Sequence, residues 1–205
     1  MFRTAAALFA CLLLSATLAF SQDSRSDVSI SITGVFSTQS QGNNVTQNPS
    51  NSLGGLATYR FRINNLSSVE ASYGLTRNSQ YYAVGSVITG EPTFFAIQTN
   101  ISEATADYVF TPWRSGRLSP FLLAGAGALI FNPTGNSFGT SGAATEVKGA
   151  FAYGAGADYR LLRNLALRLQ YRGLVYRAPD FYVSGLTTGA YGNLAEPSVG
   201  LVFRF

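Results

Sequence analysis

From residue 27 to its last residue the chain alternates apolar and polar side chains with period two, in eight separate segments. No stretch beyond residue 21 carries the 3.6-residue period of a helix. A period of two places alternate side chains on opposite faces of an extended strand. Strands are therefore predicted near 27–36, 54–63, 66–77, 96–112, 118–131, 146–161, 165–176 and 196–205. In the first, Val28, Ile30 and Ile32 oppose Ser29, Ser31 and Thr33. In the second, Ala57, Tyr59, Phe61 and Ile63 oppose Thr58, Arg60 and Arg62. In the seventh, Leu165, Leu167, Leu169, Tyr171 and Val175 oppose Arg168, Gln170 and Arg172. The fifth is apolar on both faces, and its register stays open.

The connections alternate in length. Long ones fall near 37–53, 78–95, 132–145 and 177–195, short ones near 64–65, 113–117 and 162–164. Asn64-Asn65 suits a tight turn, because Asn tolerates left-handed backbone angles. Pro112, Pro120, Pro133 and Pro197 are expected at strand ends, and Pro49, Pro92 and Pro179 in connections. None is expected in a strand interior, where proline removes a ladder hydrogen bond. Long connections at one end and short turns at the other describe an all-β, eight-stranded antiparallel up-and-down barrel. In a transmembrane barrel the short turns are periplasmic and the long loops extracellular. Segments of about ten residues tilted near 40° give roughly 25 Å of height, a match to a hydrocarbon core.

Composition decides what else the chain is not. Hydrophobic residues make up 46% and charged residues 12%, which excludes disorder. One lysine, Lys148, and no basic run leave nothing on which to build a nucleic-acid-binding face. No histidine is present, which removes the commonest general base, the Ser–His and Cys–His nucleophile systems and the commonest metal ligand.

Residues 1–21 read as a secretory signal peptide, leaving 22–205 as the barrel domain. Arg3 supplies the positive start, Ala5 to Leu14 the apolar run, and Ala19-Phe20-Ser21 the small residues of a cleavage site. The apolar stretch is too short for a membrane anchor. Cys11 sits inside the run, where a lipidated cysteine would instead begin the mature chain. Cleavage removes this only cysteine and Arg3, leaving 13 basic against 10 acidic residues. The mature chain then has no disulfide and no thiolate metal site.

A soluble barrel would point its charged face to water, and a membrane barrel reverses this. Large aromatic and branched residues occupy one face strand after strand. The other faces carry Arg60, Arg62, Glu70, Glu103, Asp107, Lys148, Asp158, Arg160, Arg168, Arg172, Glu196 and Arg204. An eight-strand lumen is just wide enough for side chains to fill it. These charges are expected to pair into a plug, with Gly154, Gly156 and Gly125 leaving space. Phe61, Phe110, Trp113, Tyr159, Phe203 and Phe205 fall near the turn end, as an interfacial girdle would.

The closing run Glu196-Pro-Ser-Val-Gly-Leu-Val-Phe-Arg-Phe205 resembles the C-terminal signal of bacterial outer-membrane barrels. Ser119-Pro-Phe-Leu-Leu-Ala-Gly-Ala-Gly-Ala and Tyr153-Gly-Ala-Gly-Ala-Asp-Tyr-Arg resemble hairpin strands of the OmpA/OmpX-like barrel superfamily. The resemblance implies outer-membrane residence, contact with outer-membrane lipids, and reading of Val199, Leu201, Phe203 and Phe205 by the barrel-assembly machinery. No C-terminal peptidoglycan-binding domain is expected after Phe205.

Candidate sites reduce to two. Glu103 and Asp107 share a strand face four residues apart, roughly 13 Å between Cα atoms, too far for an acid–base dyad. They are read as salt-bridge partners. Gly125-Ala-Gly127 and Gly154-Ala-Gly156 lack the context of phosphate loops. The matches to Asn-x-Ser/Thr at Asn44, Asn65 and Asn100 are read as chance. In the long loops, Tyr81, Tyr82, Phe94, Phe95, Phe181 and Tyr182 suit recognition of an extracellular protein or glycan. The alternative for these aromatics is to cap the barrel or sit in the outer lipid interface. No enzyme activity and no cofactor are expected, since small barrel enzymes of lipid A typically use a histidine. The expected role is structural or interactive at the surface, with a narrow porin-like channel as the alternative. A soluble lipid-binding barrel is opposed by the outward aromatic rows and by Phe205.

Overall fold

The computed structural model describes residues 25–85, 91–113, 116–138, 142–183 and 185–205. The signal peptide expected at 1–21 and Arg114-Ser115 of the turn expected at 113–117 lie outside the described residues. The strands are β1 (Ser26–Ser37), β2 (Ser40–Gly42), β3 (Val45–Pro49), β4 (Ser52–Arg62), β5 (Ser67–Val84), β6 (Thr93–Phe110), β7 (Leu118–Phe138), β8 (Glu146–Arg160), β9 (Leu165–Arg177) and β10 (Tyr191–Arg204). Eight of them close a barrel of antiparallel neighbours in the order β1, β4, β5, β6, β7, β8, β9, β10 and back to β1. Closure gives each of these eight staves two ladder partners.

The two short strands extend this wall. β2 pairs with β3 through Ser40↔Gln47 and Gly42↔Val45, continuing the register of Val35↔Ser52 between β1 and β4. The segment 37–53, read from the sequence as a loop, is therefore mostly the upper part of a long hairpin. Asn43 and Asn44 close it with φ of 52° and 59°, the two positive angles of a type I′ turn. Likewise β5 and β6 stay paired from Ser67↔Phe110 to Val84↔Thr93, so Tyr81, Tyr82, Phe94 and Phe95 lie in strands, not in a loop. Eighteen residues of β5 span roughly 60 Å along the strand and about 45 Å in height at a 40° tilt. An apolar band of about 25 Å accounts for the lower part. The rest stands above it as a β-turret.

One turn expectation changes, and two prolines expected at strand ends, Pro133 in β7 and Pro197 in β10, lie inside strands. At Asn64 the backbone is not left-handed. Its side-chain Oδ1 accepts the N–H groups of Leu66 and Ser67 at 2.9 and 2.8 Å, an Asx turn. The left-handed asparagines are Asn43 and Asn44. Pro197 lies inside β10, opposite Tyr171 of β9. It is tolerated because the β1–β10 ladder lapses between Thr33↔Ser198 and Phe36↔Ala195. The Thr33 hydroxyl donates to the Pro197 carbonyl there, at 3.2 Å.

Wall and lumen change character with height. Below, Ile30, Ile32, Tyr59, Tyr73, Leu169, Tyr171 and Leu201 point outward and are exposed, while serines, threonines and ion pairs fill the lumen. Above, the order inverts. Val35, Val45, Ile97, Ile101, Leu129, Phe131, Leu174 and Leu194 turn inward as one apolar core. Outside them stand Arg77, Asn48, Asn100 and Asn132. One barrel thus meets two solvents, hydrocarbon below and water above, and each buries what its surroundings reject. The fifth stave, β7, shows why its register was open. Phe121, Leu123, Leu129 and Phe131 face in, and Leu122 and Ile130 face out.

Candidate functional site: a filled lumen beneath a turret

Cross-strand register builds the ion network. Arg60 lies opposite Glu70, Asp158 opposite Arg168, Glu196 opposite Arg172, and Asp27 opposite Arg204. Each pair shares the inward face, which is where opposite charges a few ångströms apart stabilise a sheet. The lower cluster centres on Arg168. Its Nε and Nη2 donate to the two oxygens of Asp158 at 2.8 and 3.1 Å, a bidentate fork. Its Nη1 donates to Glu70 Oε2 at 3.0 Å, and Arg60 Nε reaches the same oxygen at 2.7 Å. Both guanidinium groups stand over the Phe121 ring, 4.2 Å for Arg60 and 5.1 Å for Arg168. Arg204 bridges Asp158 at 3.4 Å and Asp27 at 3.9 Å, and Arg62 joins Asp27 at 3.8 Å.

The upper cluster centres on Arg172. Its Nη1 donates to Glu103 at 2.9 Å and lies 3.8 Å from Glu196. Its Nη2 donates to Thr105 at 2.9 Å and lies 3.9 Å from Asp107. Glu103 and Asp107 thus bracket one guanidinium. Gly74 sits opposite Glu103 in the register, and a Cβ there would fall 2.5 Å from the Glu103 side chain. A side chain at that position would push the Glu103 carboxylate away from Arg172. Gly156, expected to make room for arginine, makes it for the Phe121 ring instead.

Two members of the expected lumen set stand outside these clusters. Arg160 has the inward parity but lies past the lower rim. It is exposed and donates to the Gly116 carbonyl at 2.6 Å. Lys148 lies at the height of the apolar core and pairs with Glu146. Asp27 belongs to the network although sequence reasoning passed it over. The signal was present: Asp27 shares a face with Ser29, Ser31 and Thr33, the polar row of β1.

The apolar core above the ion network is closed by residues 178–183 and 185–190. Phe181 inserts completely, edge-on to Tyr82 and to Phe131 at centroid distances of 6.5 and 6.4 Å. Glu146 Oε2 accepts the backbone N–H groups of Asp180 and Phe181 at 2.9 and 2.8 Å. The Tyr82 hydroxyl donates to the Pro179 carbonyl at 2.9 Å. Phe181 and Tyr182 both hold positive φ, 53° and 57°, a conformation costly for bulky residues and sustained here by those bonds. Burial opposes ionisation of Asp180. The Thr187 hydroxyl at 2.7 Å and the Tyr182 N–H at 3.1 Å outweigh it and hold the carboxyl below the ordinary aspartate range.

The six aromatic candidates consequently divide. Tyr82 and Phe181 are core, and Phe95 is half-buried against it. They are corrections to the surface reading, because the turret's interior is apolar and absorbs inward-facing rings. Tyr81, Phe94 and Tyr182 are exposed. Tyr81 and Phe94 lie on the outer face of the β5–β6 hairpin, one diagonal step apart. In the closing strand Val199, Leu201 and Phe203 point outward, and Phe205 exchanges backbone hydrogen bonds with Ser26 at 3.0 and 3.2 Å. Among the described residues no group of three or more His, Cys, Asp or Glu is arranged to hold a metal ion.

Comparison with known proteins agrees with this architecture. The family model described as outer membrane protein beta-barrel domain matches residues 7–205. The outer membrane protein OprG of Pseudomonas aeruginosa superposes with a TM-score of 0.62 at 11% identity, over 90% of this chain and 97% of that one. Neisserial surface protein A gives 0.57 at 14% identity, over 89% and 98%. Ail, the attachment invasion locus protein of Yersinia pestis, gives 0.53 at 20% identity, over 90% and 100%, in a structure with the heparin analogue sucrose octasulfate. At these identities the likeness is one of fold. A search of curated proteins finds no significant match.

Proposed function

The chain belongs to the outer-membrane β-barrel family and resides in the bacterial outer membrane, and from that premise we propose that it is a sealed, non-enzymatic barrel that acts at the cell surface. The observation that carries this reading is the double filling of the lumen. Paired arginines and carboxylates occupy the membrane-level interior, and an apolar core held down by Glu146 and Tyr82 closes the space above. The alternative, a narrow channel for ions or small solutes, draws on the charged lining. The apolar layer above that lining argues against it, since a dry constriction excludes water and ions. Catalysis finds no support either. The chain has no histidine, and the carboxylates that come together are engaged with Arg172.

The turret is then the working part. Tyr81, Phe94 and Tyr182 present exposed rings among small polar residues, a composition suited to a protein or glycan surface. During biogenesis the outward row Val199, Leu201 and Phe203, with the terminal Phe205, serves the barrel-assembly machinery. The test is single-channel recording on the refolded mature chain, after a heat-shift gel confirms folding. Silence is expected. Discrete, reproducible openings would overturn the sealed reading and make Arg172, Glu103 and Glu196 selectivity residues.

A further inference from the structure

The outer wall holds a concavity of about 610 Å³ that the surface role does not use. It lies where the wall changes from apolar to polar. Register aligns Gly55, Leu75, Ser102 and Ile130 as one outward row. The next outward row upward contains Arg77, Asn100 and Asn132. The step from aliphatic to polar rows marks the level at which hydrocarbon gives way to headgroups. Gly55 and Ser102 flank the exposed Leu75 with little side-chain bulk, and the Cβ direction of Gly55 meets nothing within 4 Å. That leaves a trough in the wall, with Leu75 on its lower side and Leu53, Arg77, Asn100 and Asn132 along its upper side.

Charge distinguishes the roof. Among the described residues Arg77 has no carboxylate within ion-pair distance, unlike Arg60, Arg168 and Arg172 in the lumen. Its Nη2 donates to Gln98 Oε1 at 2.8 Å, and the Thr134 hydroxyl reaches the same oxygen at 3.4 Å. The guanidinium is thus oriented by a neutral partner with donors to spare. A planar fork at headgroup level fits a phosphate oxygen pair, and an apolar trough directly below fits an acyl chain. The volume lies within the range of roughly 300–1,000 Å³ typical of ligand sites.

We propose that this trough is a binding site for a phosphorylated glycolipid of the outer leaflet, with Arg77 taking the phosphate and the exposed Leu53 and Leu75 side chains lying along an acyl chain. The site is independent of whether the lumen conducts. The test places the refolded chain in phosphatidylcholine nanodiscs containing a small fraction of lipid A and counts retained lipid by native mass spectrometry. Arg77→Gln is expected to weaken retention about tenfold, the loss of one charge-assisted contact. Ser102→Trp, which fills the trough and leaves the charge, is expected to displace the lipid as well. Arg163→Gln, at the opposite end of the barrel, changes nothing. Dephosphorylated lipid A is lost, and phosphatidylglycerol is not retained. Undiminished retention by folded Arg77→Gln and Ser102→Trp, or equal retention of phosphatidylglycerol, would overturn the assignment.

Discussion

Arg168→Met tests whether the lumen charges hold the barrel together. Arg168 is almost completely buried, and the substitution keeps an apolar stem while deleting the guanidinium. Three hydrogen bonds to carboxylates disappear, two to Asp158 and one to Glu70. At about 1.5–3 kcal/mol each, their gross sum exceeds what the variant loses. Glu70 keeps Arg60 at 2.7 Å, and Asp158 keeps Arg204 at 3.4 Å and Arg60 at 3.7 Å. The expected destabilisation is therefore that of one partner removed from a buried network, about 3–5 kcal/mol. Trp113, the only tryptophan, is exposed just past the end of β6 and reports unfolding by fluorescence in a reversible urea titration in lipid vesicles. Arg168→Met combined with Asp158→Asn should cost less than the sum of the two single variants, because the Arg168–Asp158 fork that each single variant breaks can be lost only once. A single-variant loss below about 1 kcal/mol, or simple additivity, would refute the view that these charges work as one network.

Other perturbations address the wall, the turret and the closing strand. Tyr171→Arg puts a charge on the outward face in the apolar band and should cost roughly 2–4 kcal/mol in the same titration; a neutral result would reverse the inside–outside assignment. Asn44→Val forces a β-branched residue into a left-handed turn, costing about 1–2 kcal/mol locally. Faster amide exchange at Gly42 and Val45, with the urea midpoint unchanged, is the expected signature. Asp180 has a lowered folded value, so its contribution is complete above the unfolded aspartate range and is lost as pH falls through the folded value. Acidification should therefore raise protease sensitivity in 178–190 before the barrel unfolds, and Thr187→Val should move that onset to higher pH. Phe205→Ala should reduce the inserted fraction in the outer membrane, and unchanged insertion would count against the terminal row as an assembly signal.

The barrel was legible because period-two alternation survives any environment. It reports which side chains share a face, whatever that face meets. What the alternation does not report is where the surroundings change. In β9 the apolar row runs on odd positions through Tyr171 and then moves to Leu174 and Tyr176. In β1 it moves from Ile32 to Val35. Each shift marks the height at which water replaces hydrocarbon outside the wall. Read without that idea, the upper residues look like irregular loops, and Tyr82 and Phe181 look like surface rings. The charged positions were legible for a related reason: an inward carboxylate or guanidinium survives only beside its opposite, so polar faces of adjacent strands had to match. Arg160 broke the rule because parity fixes a direction and the rim fixes where that direction stops meaning inside. The turn residues carried a subtler ambiguity. Asn43-Asn44 and Asn64-Asn65 are the same dipeptide, yet one pair takes left-handed backbone while the other begins an Asx turn through its side chain. A two-residue hairpin on continuous strands demands positive φ. The connection at Asn64 closes onto Ser67, with Ile63 and Asn64 N–H donating to its carbonyl, and needs only an acceptor. The number of residues between paired strands, not the identity of the asparagines, decides between them.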